Sequence, residues 1–168
     1  MTSITQDHSK LGFLGVGAMG NRIAGRLLKQ GFQVTVFDRD AARANALIES
    51  GGSVAPSIAA LASNAEAVLS ILTNDEAVRD VYTGPEGVLE HIRPGSTIIE
   101  MSTVSPVTSR ELYRLGSARG VSVLDVPVSG STPAAEQGSL TLLCGGDEER
   151  FQAADAIFTA TQTAILAQ

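Results

Sequence analysis

Short apolar runs alternate with segments of helical period along most of this chain. The runs predict buried strands at residues 11–16, 33–37, 53–55, 66–72, 96–101 and 121–126. The segments between them predict helices at residues 19–31, 40–51, 56–61, 75–82 and 105–120. A further apolar run at 139–146 precedes a helix predicted at 147–158, and residues 163–168 have the composition to begin one more strand.

This alternation predicts an α/β fold with a doubly wound, mostly parallel sheet and helices on both faces. The strands are apolar on both sides, as expected for a sheet that helices cover twice. No internal repeat or linker interrupts the pattern, so we expect one domain over residues 11–168. Residues 1–10 are polar, and we expect them to form a disordered N-terminus.

Composition narrows the class of partner. Apolar residues make up 43% of the 168 residues and charged residues 18%, which is enough to build a core. The net charge of −6 argues against nucleic acid or an anionic membrane as a partner, since both attract cationic surfaces. The first residues lack the basic and apolar stretches of a signal peptide, and no apolar run spans a bilayer. We therefore predict a soluble, cytoplasmic protein with no metal site, and the single cysteine, Cys144, excludes an internal disulfide.

A glycine pattern follows the first predicted strand. Gly15, Gly17 and Gly20 have the G-x-G-x-x-G spacing, open the first predicted helix, and are followed by Asp38 at the end of the second strand. This context is the fingerprint of a Rossmann dinucleotide-binding unit, in which the first glycine makes a tight turn, the second admits the pyrophosphate and the third packs the helix on the strand. The helix N-terminus offers free N–H groups to the phosphates. An ordinary glycine-rich turn is the alternative.

The residues after the second strand bear on which nicotinamide cofactor binds. Asp38 is suited to accept hydrogen bonds from the ribose hydroxyls of NAD and would repel the 2′-phosphate of NADP. Arg39 is suited either to stack on the adenine or to pair with that phosphate. With Asp40 adding a second carboxylate, the sequence favours NAD and leaves NADP open.

Three segments together resemble the β-hydroxyacid dehydrogenases. They are residues 12–39 with GVGAMG, residues 98–112 with EMSTVSP, and residues 125–151 with DVPVSGS, in the order in which that family has them. The family includes 3-hydroxyisobutyrate dehydrogenase, tartronate semialdehyde reductase and the glyoxylate/succinic semialdehyde reductases, with 6-phosphogluconate dehydrogenase as a more distant relative. The resemblance implies hydride transfer between a nicotinamide cofactor and a small 3-hydroxy acid or semialdehyde. It implies a cofactor site comprising Gly15, Val16, Gly17, Ala18, Met19, Gly20, Asp38, Arg39, Leu72 and Thr103.

The polar stretch between the last two apolar runs matches the substrate signature of that family. The resemblance implies that Ser129, Gly130 and Ser131 bind the carboxylate or hydroxyl of the substrate. The position of the stretch after a predicted parallel strand agrees, because ligands lie beyond the carboxyl ends of such strands. The alternative is a solvated connection rich in turn-forming residues.

The catalytic lysine of the family has no match in this chain. In the family it lies at the start of a long helix after the dinucleotide-binding domain, which corresponds to a position beyond Gln168, and the only lysines here are Lys10 and Lys29. We therefore expect no catalytic residue in this chain, no helical second domain, and weak or absent turnover. An apolar patch left by that missing domain predicts self-association into a homo-oligomer. Two other interpretations stay open: a non-catalytic dinucleotide-binding module, and a domain like those of imine reductases.

Overall fold

Six parallel strands form the main sheet of this protein. The structure is a computed structural model that describes residues 2–167, with side chains described as far as residue 162. The strand order is β3-β2-β1-β4-β5-β6. The strands are β1 (Lys10–Leu14), β2 (Gln33–Phe37), β3 (Ser53–Val54), β4 (Ala67–Ser70), β5 (Thr97–Glu100) and β6 (Ser122–Asp125). Because the chain moves outward from β1 to β3 and then returns to β4, the direction of winding changes between β1 and β4.

Helices cover both faces of this sheet, as the doubly wound fold requires. They are α1 (Ala18–Lys29), α2 (Ala41–Asn45), α3 (Ile58–Asn64), α4 (Asp75–Thr83), α5 (Val88–His91) and α6 (Pro106–Ala118). Side chains alternate along each strand, so Phe13 packs into the core on the α1 face while its neighbour Leu14 packs into the core with α3, α4 and α6. The predicted Rossmann-like α/β fold is therefore confirmed, with the six predicted strands all present.

The predicted helix at 40–51 is shorter than the sequence pattern indicated. Asp40 caps its start through a hydrogen bond from the N–H of Ala42, but the α-helix ends at Asn45. The chain continues to Gly51 in tighter turns with i to i+3 bonds, such as that from Leu47 N–H to the carbonyl of Ala44 at 3.1 Å. This tightening brings the chain around to begin β3 at the edge of the sheet.

The chain after β6 builds a second, smaller sheet against the edge of the first. Its elements are β7 (Val128–Ser129), α7 (Thr132–Gln137), β8 (Leu140–Cys144), α8 (Glu148–Ala153), α9 (Asp155–Thr161) and β9 (Gln162–Ala167). Strand β7 pairs antiparallel with β8, and β8 pairs parallel with β9. A bridge between Asp125 and Gly145 joins β8 to the end of β6.

The last elements differ slightly from their predicted bounds. The helix predicted at 147–158 is split at Ala154 into α8 and α9, and β9 starts one residue before the strand expected at 163–168. Gln168, the last residue of the predicted domain, lies outside the described residues.

The N-terminal segment differs from the sequence prediction. Residues 2–9, which we expected to be disordered, lie against α8: the N–H of Ile4 donates to the carbonyl of Ala153 at 2.8 Å. The side chain of Ile4 is 7% exposed and belongs to the core on the α1 face. The backbone bond of Ile4 and the burial of its side chain thus hold the segment against the domain.

None of the helices described in residues 2–167 combines the length and the apolar character that crossing a membrane requires.

Candidate functional site

The carboxyl ends of five strands form one aligned edge. In register, Leu14 of β1 lies between Phe37 of β2 and Ser70 of β4, and β5 and β6 continue the row with Glu100 and Asp125. Loops that follow these residues therefore emerge side by side. This edge contains the switch of winding direction between β1 and β4, which is where ligands bind in such sheets.

The three glycines of the fingerprint have three different surroundings. Gly15 has φ of +85°, and a Cβ there would lie 2.3 Å from the carbonyl oxygen of Ile71. A Cβ on Gly20 would lie 1.8 Å from the carbonyl oxygen of Gly15. A Cβ on Gly17 would meet nothing nearer than Nη1 of Arg43 at 3.9 Å. The first and third glycines are thus required by the protein itself, whereas Gly17 leaves open space that fits an approaching pyrophosphate.

The first turn of α1 faces that open space. Gly17 is the N-cap residue, and within the described part of the chain no side chain caps the helix there. Its first N–H groups therefore have no internal partner, an arrangement that suits an anion. Of the other predicted residues of this turn, Val16 is buried, Ala18 is exposed and Met19 is half-buried against the core on the α1 face.

The carboxylate of Asp38 braces the cradle from the neighbouring strand. Its Oδ2 accepts from the N–H of Val16 at 3.0 Å and its Oδ1 accepts from the N–H of Asp40 at 2.8 Å. From the sequence we predicted only that Asp38 contacts a ribose. Its hydrogen bonds to two backbone N–H groups give it a second, structural role. The carboxylate lies at the mouth of the cradle and keeps lone pairs that a ribose hydroxyl can reach.

A cavity of about 340 Å³ extends from the cradle between β2 and β4. Its walls include Gly17, Asp38 and Arg39 on one side and Leu72 on the other. Arg43 also lines it, with its Nε 3.6 Å from Oδ2 of Asp40. Arg43 is not among the residues predicted from the sequence, although its place in the first turn of α2 was the signal that could have found it. This volume, closed by apolar walls and two guanidinium groups, fits the adenosine half of a dinucleotide.

The loop after β5 is tied to the loop after β4. The N–H of Leu72 donates to Oγ of Ser102 at 2.7 Å, so the two predicted cofactor residues Leu72 and Thr103 are brought onto neighbouring loops. Thr103 is exposed, with its side chain free of the core. It stands beyond the carboxyl end of β5, and the cavity beside β2 does not include it.

The polar stretch predicted to bind substrate has internal structure. Ser129 lies on β7, paired with Thr141, and is exposed. Gly130 has φ of +146°, and a Cβ there would lie 2.8 Å from Cδ2 of Leu140. Ser131 caps α7: its Oγ accepts from the N–H of Ala134 at 3.3 Å. Helix α7 was missed because Ser131 and Gly138, which begin and end it, are also typical of a loop.

This stretch is held beside the cradle helix. Helix α7 packs against α1. Arg26 of α1 reaches across to donate from Nε to the carbonyl of Ala160 at 2.9 Å. Gly138, the left-handed C-cap of α7, leaves room for that side chain, since a Cβ there would lie 2.5 Å from Nε of Arg26. The structure thus holds the helix that directly follows the predicted substrate residues against the helix of the cradle.

Both lysines lie away from this edge. Lys10 is the first residue of β1, and Lys29 is the last residue of α1. Since α1 runs antiparallel to the strands it covers, both positions are at the amino end of the sheet. The position expected for the family's catalytic lysine, beyond Gln168, lies outside the described residues, so its absence from the site stays a prediction.

Metal ligands are not gathered in the part of the chain that the structure describes. Among residues 2–167, no cluster of three or more His, Cys, Asp or Glu side chains could hold a metal ion.

Three carboxylates near the edge have shifted pKa values. Hydrogen bonds from the hydroxyls of Ser105 and Thr108 lower the pKa of Asp75 to about 2. Burial raises the pKa of Glu100, and burial also raises the pKa of Asp125. Asp75 and Glu100 were not predicted from the sequence, because their partners Ser105 and Ser70 are 30 residues away.

Comparisons with known proteins agree with this geometry. A family model described as the NAD binding domain of 6-phosphogluconate dehydrogenase matches residues 10–167. An NAD-dependent L-serine dehydrogenase from Pseudomonas aeruginosa is 36% identical over 151 residues, which cover 90% of this chain and 51% of that protein. The cytokine-like nuclear factor N-PAC of Danio rerio is 37% identical over 158 residues, covering 94% of this chain and 34% of that protein.

A solved structure shares the fold closely. The structure of Mycobacterium tuberculosis 3-hydroxyisobutyrate dehydrogenase with L-serine superposes with a TM-score of 0.90 at 31% identity, covering 95% of this chain and 54% of that one. The chain spans about half the length of the dehydrogenases it matches.

Proposed function

We propose a function for this chain from one premise: it belongs to the family of NAD-binding domains of 6-phosphogluconate dehydrogenase. The resemblance to β-hydroxyacid dehydrogenases is confirmed at the level of the family. The chain is an NAD(P)-binding domain. From there we propose that it serves an oxidoreductase that moves a hydride between the nicotinamide and a small 3-hydroxy acid or semialdehyde.

The open N-terminus of α1 carries this proposal. A side chain at Gly17 would approach only the tip of Arg43, and the N–H groups beyond it have no side-chain cap in the described part of the chain. A bound dinucleotide would place its pyrophosphate there, its adenosine in the cavity beside Asp38, and its nicotinamide toward Thr103. The nicotinamide would then supply or accept the hydride.

For the choice of cofactor we propose NAD over NADP. Asp38 puts a carboxylate at the ribose end of the cavity, fixed by two backbone N–H groups. That charge disfavours a 2′-phosphate. Arg39 and Arg43 oppose it, but Arg43 already lies beside the carboxylate of Asp40, which reduces the positive field it offers a ligand. The name of the L-serine dehydrogenase relative, which is NAD-dependent, supports the same choice.

Titration of NADH and NADPH into the protein, followed by cofactor fluorescence, tests both points. We expect saturable binding, tighter for NADH. The variant Gly17→Asp is the sharpest control. Gly17 has φ of −67°, which any residue adopts, and Asp is a favoured N-cap residue, so this variant should melt no lower than wild type. It should nevertheless lose NADH affinity by roughly 100-fold, because its carboxylate occupies and repels the phosphate position. A wild-type chain that binds neither cofactor overturns the proposal, as does equal NADH affinity in Gly17→Asp.

For the reaction we propose that Ser129, Ser131 and the backbone between them hold the substrate. Two hydroxyls and the N–H groups of an exposed turn suit a carboxylate. The Oγ of Ser131 accepts from the N–H of Ala134, which leaves its proton free to be donated. Helix α7, which begins at this turn, packs on α1, and we propose on that basis that the turn faces a nicotinamide bound over the cradle.

We propose that the described residues of this site do not supply the proton donor for the reaction. The lysines that this chain has, Lys10 and Lys29, lie at the opposite end of the sheet. General acid–base help is worth roughly 10²- to 10⁴-fold in rate. We therefore expect this chain to bind the cofactor and to turn over slowly.

A steady-state assay with NADH and glyoxylate or succinic semialdehyde, and with NAD and L-serine, measures that expectation. Turnover should stay below about 1 s⁻¹, the low end of ordinary enzymes. Faster turnover would contradict it and would point to an acid that the geometry does not identify. No turnover together with tight cofactor binding would favour the second candidate, a dinucleotide-binding module without chemistry, for which the similarity to a protein named as a nuclear factor is the supporting observation.

A further inference from the structure

A buried carboxylate lies directly beneath the loops of the cofactor site. Glu100 is the last residue of β5 and is only 2% exposed. Its register neighbours are Ser70 on β4 and Asp125 on β6. None of the cations in the described part of the chain forms an ion pair with it.

One oxygen of this carboxylate ends a chain of hydroxyls. Oε2 of Glu100 accepts from Oγ of Ser70, and Oγ of Ser70 lies 2.5 Å from the hydroxyl of Tyr82, which is fully buried on α4. Since the proton of Ser70 is used toward Glu100, the hydroxyl of Tyr82 must donate to Ser70. The direction of this chain is therefore fixed by the carboxylate at its end.

The other oxygen controls the loop after β5. Oε1 of Glu100 accepts from the backbone N–H of Ser102 at 2.7 Å, so the carboxylate fixes the position of that residue. Oγ of the residue placed in this way accepts from the N–H of Leu72 at 2.7 Å. Leu72 in turn forms a wall of the cofactor cavity.

We propose that Glu100 is a positioning residue for the cofactor, acting through Ser102 to set the Leu72 segment and the loop that carries Thr103. This inference rests on the proposed function, because it takes the cavity and Thr103 as the cofactor site. Glu100 touches neither the cavity nor the surface. It acts by ordering the donors and acceptors beneath two cofactor loops.

The energetics support a role beyond stability. An acidic group buried without a cation costs stability, and an apolar residue of similar size is often equal or better at such a place. Asp125, which faces it from β6, raises its pKa further, and the buried hydroxyl of Tyr82 brings no positive charge that would offset the cost. Its hydrogen bonds lead to the two loops of the cofactor site, and that connection gives a reason for the buried acid.

A double-mutant comparison tests this relay, in which Glu100 acts through Ser102 on the Leu72 segment. The four proteins are wild type, Glu100→Gln, Ser102→Ala and the combination, each titrated with NADH at a temperature where its melting curve shows it folded. Networks of this kind typically change affinity by roughly 2- to 30-fold. We expect Glu100→Gln and Ser102→Ala each to weaken NADH binding within that range. The combined variant should bind no more than about twofold weaker than Ser102→Ala alone, because Glu100 acts on the Leu72 segment by placing that hydroxyl.

Glu90→Gln is the matched control. Glu90 is exposed on α5, where it pairs with Arg119, and its variant should bind NADH like wild type. A purely structural role for Glu100 would lower the melting temperature without this pattern. Losses that multiply in the combined variant would overturn the proposal, and so would NADH affinity in Glu100→Gln within twofold of wild type.

Two further outcomes of this experiment have their own interpretation. If Glu100→Gln does not fold, Ser102→Ala carries the test by itself, and wild-type affinity in that variant overturns the relay. If the wild-type chain binds no NADH, the proposed function has failed before any variant is compared, and this inference fails with it.

Discussion

Two sets of loops meet at the site, and different chemistry holds each in place. At the ends of β2 and β5 and the start of α4, carboxylates accept hydrogen bonds from neighbouring loops: Asp38 from Val16, Asp75 from Ser105, and Glu100 from Ser102. In residues 126–139 the chain is held instead by a serine cap, by glycine turns and by packing of α7 on α1. The loops with these three carboxylates, which we call the cofactor half, are thus ordered by acidic side chains. Residues 126–139, which we call the substrate half, are ordered by local turn geometry.

Gly20 and Gly130 give the largest contrast between the two halves. A Cβ on Gly20 meets backbone, the carbonyl oxygen of Gly15, whereas a Cβ on Gly130 meets the far end of the Leu140 side chain. Backbone in the tight turn after β1 cannot move aside, but a leucine methyl group can. We expect Gly20→Ala to lower the free energy of unfolding by on the order of 3 kcal/mol or more. We expect Gly130→Ala to cost about 1–3 kcal/mol, mostly from its left-handed φ.

Chemical denaturation of the two variants measures this difference. The slope of the transition should stay that of wild type, so that midpoints report stability. Gly130→Ala should still bind NADH, because the substitution lies in the other half. Equal midpoints for the two variants would contradict the view that the cradle is the more rigid half.

The sequence predicted what depends on local pattern. Alternating apolar runs located all six strands of the main sheet, and the spacing of Gly15, Gly17 and Gly20 with Asp38 located the cradle. Helix α7 escaped because Ser131, Pro133 and Gly138 are equally typical of a loop, and its single buried alanine gives no helical period. The order of residues 2–9 escaped because it depends on where Ala153, far along the chain, happens to lie.

The carboxylate contacts could not be predicted for a related reason. Asp75 and Ser105 are 30 residues apart, and Glu100 and Ser70 are equally distant. Strand register brings Ser70 beside Glu100, and the loops that follow β4 and β5 bring Asp75 beside Ser105. Neither the register nor the path of these loops is visible in one sequence. The predicted substrate residues Ser129, Gly130 and Ser131 stay a prediction, since each also has a structural reason to be where it is.

The smallest expected effect is a difference between the two halves in how their contribution to stability depends on pH. Asp75 joins the start of α4 to the start of α6, accepting from Oγ of Ser105 at 2.5 Å and from Oγ1 of Thr108 at 2.6 Å. Ser131, in the other half, joins its loop to α7 through an uncharged hydroxyl. An ionised acceptor loses its role when it gains a proton, whereas a hydroxyl keeps its role at any pH. The comparison of Asp75→Asn with Ser131→Ala therefore asks whether charge or turn geometry holds each half.

The sign of the effect follows from the pKa of Asp75, which is lowered from 3.8 to about 2. The stabilisation is fully present above pH 3.8 and is lost as the pH falls toward 2. We expect Asp75→Asn to melt slightly below wild type at pH 6. This difference in melting temperature should become smaller below pH 3.8. Ser131→Ala should lose about 1 kcal/mol at either pH, because its cap carries no charge. Melting curves of both variants between pH 6 and pH 3 measure this, and a gap for Asp75→Asn that does not change with pH would show that the cofactor half is held by shape, as the substrate half is.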